Sequence, residues 1–121
     1  ERSPYVEQLE ITARATAEKI GHKNWSIAYQ SRTGKPGDAW LEPDINAVIR
    51  DLSTHGAAEV VVAPIGFVCD HVEVLYDLDI EAKRTAAQAG INLHRASCPN
   101  DHTTFVQMIA DVIARSVESS Q

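Results

Sequence analysis

Apolar residues recur every three or four positions near the start of the chain, at Val6, Leu9, Ala13, Ala17 and Ile20. That period predicts a helix over 4–20. Ser3 and Pro4 supply an N-cap and a first helical residue, and Gly21 ends the run. Trp25 to Gln30 is short and β-prone and feeds a breaker-rich loop, Ser31 to Leu41, that holds Gly34, Pro36 and Gly37. Pro43 restarts a helical pattern whose Ile45, Val48, Ile49 and Leu52 form one stripe, with Gly56 at its C′ position.

From Glu59 to Phe67 the pattern changes. Val60-Val61-Val62-Ala63-Pro64-Ile65 is continuously apolar, as expected of a parallel strand covered by helices on both faces. A helix follows from Asp70 to Ala89, stopped by Gly90, and Ile91 to Ala96 is a third short strand. A last helix runs from about Asp101 to Val117, with Phe105, Met108, Ile109, Val112 and Ile113 turned to the core, and Ser116 to Gln121 is a disordered tail. The order αβαβαβα predicts an α/β fold: a three-layer α/β/α parallel sheet of flavodoxin-like or Rossmann-like topology with right-handed crossovers. In such a fold a helix crosses between two parallel strands, so a pattern that opens on a helix lacks its first strand.

Size and charge narrow the function. A chain of 121 residues makes one small domain, and 44% apolar with 23% charged residues is ordinary globular composition. The formal net charge of −6, without a Lys/Arg cluster, excludes phosphate neutralisation, so nucleic acid is not the partner and cationic ligands fit better. Two cysteines, Cys69 and Cys98, stand far apart and outside any CxxC pattern, which argues against a disulfide framework or a closed zinc site and for a reducing compartment. No apolar run approaches a membrane span and the first residues have no signal-peptide character, so the expected location is cytoplasmic, with peripheral membrane contact left open.

Ligands of open α/β sheets sit beyond the carboxyl ends of the strands, here Ser31 to Trp40, Gly66 to Glu73 and Ser97 to Asp101. The middle segment carries the chemistry. Asp70, Glu73, Asp77, Asp79 and Glu81 fall within twelve residues together with His71 and no Lys or Arg. Glu73, Asp77 and Glu81 recur at i, i+4, i+8, which on a helix stacks their carboxylates about 6 Å apart per turn. Such a ridge of like charge loses helix stability unless something compensates. A divalent cation taken by oxygen ligands would do so; a solvated acidic face is the plain alternative, and spacing alone leaves both open. His71 reads either as a hydrogen-bonded structural histidine or as a group that orients Glu73. Trp40 either staples its loop to the core or lines a pocket.

The run Pro64-Ile65-Gly66-Phe67-Val68-Cys69-Asp70-His71-Val72-Glu73-Val74-Leu75-Tyr76-Asp77-Leu78-Asp79 resembles the ferrochelatase segment P-I-x-F-x-S-D-H-x-E-T/V-L-Y/W-x-L/N-D. Gln30-Ser31-Arg32 followed by Trp40-Leu41 and Pro43 resembles the same family's Q-S-x-x-G…W-L-x-P loop, at the matching distance upstream. The resemblance covers nearly the whole chain and implies a chelatase-like C-terminal domain over residues 1–121. It implies insertion of Fe²⁺ into a porphyrin in haem biosynthesis, with this chain as the acidic metal-side wall of the site. Glu73 and His71 become the catalytic pair, with Asp77 and Glu81 joining them toward the metal on a π-bulged helix. Gln30, Ser31 and Trp40 become substrate-binding.

Departures from the family pattern are equally specific. The family's second catalytic histidine sits in an F-S-A-H-S-L-P segment absent here, and His22, His55, His94 and His102 do not match it. That segment belongs to the strand preceding the first helix, so pattern and resemblance agree on what is missing. The expectation is a chain that needs an N-terminal half, as a separate chain or missing segment, to metallate porphyrin. Cys69 replaces the family's usual Ser and reads as a small buried thiol rather than a soft ligand. Two cysteines cannot hold the iron–sulfur cluster found in some members, so no cofactor is expected beyond substrate Fe²⁺. Competing readings are a stand-alone cobalt or nickel chelatase acting as a homodimer, a non-catalytic metal- or haem-binding module, and a receiver-type signalling domain, which lacks the required acids at its strand ends.

Overall fold

The computed structural model describes residues 4–30 and 41–121. Helix α1 (Pro4–Ile20) forms as its pattern predicts and ends at Gly21, whose φ of +70° is a left-handed stop. Its stripe is covered at Val6, Leu9, Ala13 and Ala17, but Ile20 stays exposed. The helix is seated through its first turns. A β-carbon placed on Gly66 would come within 3.2 Å of the Tyr5 Oη and 3.9 Å of Leu9, so glycine there lets α1 approach the 65–66 turn closely.

Residues 25–30 do not form the expected strand. Tyr29 makes one parallel bridge to Asp44, donating its N–H to the Pro43 carbonyl and accepting from the Ile45 N–H. Helix α2 (Ile45–Thr54) starts two residues later than the proline suggests. Asp44 is its cap, accepting from the Asn46 N–H at 2.9 Å and the Ala47 N–H at 3.2 Å. Its stripe then buries Ile45 and Ile49, with Leu52 packed beside them.

Two short strands, β1 (Glu59–Val62) and β2 (Asn92–Arg95), pair in parallel with Glu59 opposite Asn92 and Val62 opposite Arg95. The parallel sense is as expected, but among the described residues the sheet has two strands, and the apolar run beyond Val62 turns instead of extending. Ile65 N–H returns to the Ala63 carbonyl and Phe67 N–H to that of Pro64. Only one face is covered: Val60, Val62 and Leu93 pack into the core, whereas Val61 is 70% exposed. Continuous apolarity therefore does not correspond here to cover on both faces.

Between the strands the single expected helix is three windings end to end: α3 (Val72–Val74), a π-helical segment (Leu75–Ala82) and α4 (Lys83–Ala89). Gly90, at φ +73°, ends it as the sequence implies. Val74, Leu78, Ala82 and Ala86 are fully buried and form the spine of the core with Ile49, Ile91, Leu93 and Cys98. Helix α5 (Thr103–Ser119) is capped by His102 and runs through most of the expected disordered tail. It buries no residue. Met108, Ile109, Val112 and Ile113, expected to face the core, are all exposed, because no described segment lies against that stripe. No helix is long and apolar enough to cross a membrane among the described residues.

A three-residue ion pair ties the composite helix to the sheet. Arg95, at the end of β2, donates through Nε and Nη2 to the two oxygens of Asp79 (2.7 and 2.8 Å) and through Nη1 to Asp70 Oδ1 at 2.8 Å. One planar guanidinium thus holds a residue just ahead of α3 and another inside the π segment. Asp70 also accepts from the Cys98 N–H and from Asn100 Nδ2, and its own N–H donates to Asn100 Oδ1. Asn100 takes a left-handed φ of 50° to face it, and its N–H bonds the Val68 carbonyl.

These bonds hold the Asp70 carboxyl down to about 2, with the Asn100 side chain and the Cys98 N–H as main causes, and Arg95 keeps Asp79 low. Arg95 is pushed further up by Asp79, and burial beside Asp70 raises the Cys98 thiol to about 11.

Replacing Arg95 with Met removes its bonds to Asp79 and Asp70, leaves Asp70 with Cys98 and Asn100 and Asp79 with Lys83, and should lower stability by less than breaking a fully buried pair does. Urea unfolding checks this, and Arg95→Lys, which keeps charge but loses the fork, should fall between. Both acids have folded-state values depressed below the unfolded one. Their contribution is therefore complete above about pH 4 and is lost as pH falls toward 2. Asp70→Asn should flatten the stability profile over that window; a profile superimposable on the parent's would remove Asp70 from the acid transition.

Candidate functional site

A cleft of about 340 Å³ opens at the carboxyl end of β1. It is lined by Tyr29 and Gln30, by Val62 to Phe67, by Ile45 and Leu78 from the helical layer and by Tyr5 and Leu9 of α1. The lining is overwhelmingly apolar. Among the described residues Glu73 is its one acidic member, carried there by α3. The carboxylate on which the sequence argument turned is thus exposed, at the rim of an apolar hollow.

His71 occupies a different position. Its Nδ1 accepts from the Glu73 N–H at 3.1 Å and from the Val74 N–H at 3.4 Å, so it caps the helix that carries Glu73. Those two bonds leave the ring proton of the neutral imidazole on Nε2. The ring stands edge-on to Phe67, centroids 4.5 Å apart at 87°, and Phe67 itself lines the cleft. His71 therefore fixes Glu73 through the backbone and an aromatic contact, not through the carboxylate.

The acidic ridge is altered by the π winding. A wider turn than the α-helix changes how residues four apart line up, and Leu75–Ala82 covers Asp77 and Glu81 but not Glu73. Glu73 is exposed while Asp77 and Glu81 are half-buried, each next in sequence to a residue of the buried spine. No group of three or more His, Cys, Asp or Glu side chains placed to hold a metal ion occurs among the described residues. Two of the five acids, Asp70 and Asp79, serve the Arg95 brace. Compensation for those two comes from Arg95 of β2, sixteen residues beyond Asp79 and outside any local spacing. Lys83 does contribute, at 3.7 Å from Asp79.

Gln30 lines the cleft, and its Nε2 is buried without a hydrogen-bond partner among the described residues. Ser31 and Trp40 lie outside the described residues. Cys69 is exposed, not the buried thiol expected; Cys98 is the buried one. Asn100 is the residue that sequence reasoning passed over entirely. Its signal, an Asn two positions after Cys98 in the loop that follows β2, becomes legible only once that loop is seen to face Asp70.

The ferrochelatase family model matches residues 1–117. The coproporphyrin III ferrochelatase of Mycolicibacterium smegmatis is 41% identical over 109 residues, which is 90% of this chain and 32% of that protein. The ferrochelatase of Rhodopirellula baltica is 42% identical over 110 residues, 90% of this chain and 31% of the relative. That of Thermus thermophilus is 42% identical over 110 residues, 91% and 34%. The chain spans about a third of the length of the curated relatives it matches. Matched along nearly its whole length, the chain belongs to the ferrochelatase family.

Proposed function

We propose that this chain is the acidic, metal-side wall of a porphyrin metallation site and works with the remainder of a ferrochelatase. The observation that carries the reading is Glu73, the single carboxylate at the rim of an apolar cleft beyond the carboxyl end of a parallel strand. A tetrapyrrole laid over the mouth meets an apolar surface for its ring and one anionic oxygen donor at its edge.

Fe²⁺ replaces two pyrrole protons, so the site must accept two protons for each dication it delivers. Glu73 is placed to take a proton from the ring or to hold the arriving cation; its oxygens are hard donors suited to a partly hydrated ion. Asp77 and Glu81, one and two turns on, act singly and in sequence, relaying cation or proton along the helix. His71 supports the step by fixing the turn from which Glu73 projects. Gln30 lines the same hollow, and the reading takes Gln30, Ser31 and Trp40 as its substrate-binding residues. Fe²⁺ is substrate here, and no iron–sulfur cluster or other cofactor takes part. A cytoplasmic setting, at or beside a membrane surface, goes with this reading.

With the remaining two-thirds of a ferrochelatase supplied as a second polypeptide, the chain should metallate porphyrin, and Glu73→Ala should lower kcat by about 10²–10⁴, the range for a lost general base. An unchanged rate removes Glu73 from the mechanism. His71 separates by two substitutions. His71→Ala should lower stability by about 1 kcal/mol as a lost cap, and His71→Asn, a competent cap, should restore it. If the role is positional, Asn restores metallation together with stability; restored folding with metallation still lost would assign the imidazole a chemical role instead.

A further inference from the structure

Two thiols that the metallation reading leaves unused meet beside the site. Cys69 and Cys98 are twenty-nine positions apart along the chain, one in the loop after β1 and the other in the loop after β2. The residues on both sides of Cys69 are hydrogen-bonded into the second loop. Before it, the Val68 carbonyl accepts from the Asn100 N–H at 2.9 Å. After it, Asp70 takes the Cys98 N–H at 3.1 Å and exchanges bonds with the Asn100 amide, donating its N–H to Oδ1 and accepting from Nδ2. Cys69 is therefore held against the 98–100 turn from two directions. A disulfide spans Cα atoms up to about 7 Å apart, wider than the separation of about 5 Å at which hydrogen-bonded backbones run.

The pair is asymmetric. Cys69 is exposed, whereas Cys98 is 5% exposed and belongs to the core cluster. Burial and a bond to the Asp70 carboxylate raise the Cys98 thiol to about 11, and Cys69 lies close enough to add to that rise. Alone, a buried thiol of this kind is inert and an exposed one keeps whatever it captures. Side by side they have a third course, in which the exposed sulfur captures an oxidant and the buried one resolves the adduct. Neither the spacing of the two cysteines nor any local motif announces this, because the fold alone brings them together.

We propose that Cys69 and Cys98 form a redox-active dithiol that closes to an intramolecular disulfide by exchange with a low-molecular-weight disulfide. The Cys69 sulfur attacks one sulfur of the oxidant. The oxidant's S–S bond breaks, one thiol leaves with the proton that Cys69 gave up, and a mixed disulfide remains on Cys69. The Cys98 sulfur then attacks the Cys69 sulfur and expels the second thiol, which takes the Cys98 proton. Two protein thiols are oxidised and one disulfide is reduced to two thiols. Closure withdraws the Cys98 S–H from Asp70, which keeps the Cys98 N–H and Asn100, and adds a covalent tie two residues ahead of His71. The Cys69 sulfur stays at the surface, where a reducing dithiol reopens the link.

The test uses neither porphyrin nor metal, so its outcome is independent of the metallation reading. The reduced chain is incubated with millimolar glutathione disulfide, quenched with acid, and followed by intact mass, thiol counting and peptide mapping. Both thiols should vanish together, the mass should fall by two hydrogens with no glutathione retained, and dithiothreitol should restore the starting mass. Cys98→Ala should instead keep one glutathione, on Cys69. Cys69→Ser should react about 100-fold more slowly than the parent while folded and at an ordinary rate in urea, where Cys98 is uncovered. The parent and Cys69→Ser, a surface substitution, decide the matter even where Cys98→Ala fails to fold. A parent that retains glutathione without closing, a disulfide that joins two chains, or a folded Cys69→Ser that reacts as fast as the parent overturns the proposal.

Discussion

One guanidinium ties the helix that carries Glu73 to the end of the sheet. Arg95 closes on Asp79 with two bonds and on Asp70 with a third, so the turn before α3 and the middle of the π segment are both referred to the end of β2. The two carboxylates are nine positions apart along the chain, and Glu73 lies between them. Its position relative to the sheet is therefore fixed from both sides. Asn100 adds a second tie at the Asp70 end, joining the loop after β1 to the loop after β2. Since ligands of such sheets gather beyond these strand ends, the brace sits under the site without being part of its chemistry.

The same brace bears on the winding of the helix. A π turn has poorer packing and is rare except where a site uses it, so something must hold it against relaxing to α. Here the spine Val74, Leu78, Ala82, Ala86 keeps a four-residue step through the π segment and into α4, all four fully buried. An ideal α-helix would drift about 40° at each such step, carrying every fourth residue off the core. The wider winding turns each such step back toward the core, so the mixed helix keeps the spine buried. The acids one position before it do not follow as a single ridge, since Glu73 precedes the π segment and is exposed while Asp77 and Glu81 lie within it and are half-buried.

Much of this was legible in the chain, for identifiable reasons. Helix stops at Gly21, Gly56 and Gly90 were readable because a left-handed φ strongly selects glycine, and the stripe of α2 because its period matches one buried face. Glu73 was legible through motif and spacing together. Three things were not. Arg95 lies sixteen residues from Asp79, and pairing across a crossover leaves no local pattern. The strand expected over 25–30 reduces to one bridge at Tyr29, since β-propensity expresses itself only where a neighbouring strand is present to pair. Helix α5 has the apolar period of a buried helix and no cover, because periodicity reports which face seeks burial, not whether anything in the same chain supplies it.

The sheet shows the same dependence on cover. A parallel strand acquires stability from neighbours on both sides and helices on both faces, and among the described residues β1 has β2 as its one neighbour, Val61 is exposed, and the segment at 27–30 bridges at Tyr29 without extending. Parallel strands also end at the same side of their sheet. Both β1 and β2 therefore end on the side where the cleft opens and Glu73 stands. The Arg95 brace leaves from that same end of β2, so sheet, helix and cleft wall meet where the two strands stop, and a change in any one of them is felt by the other two.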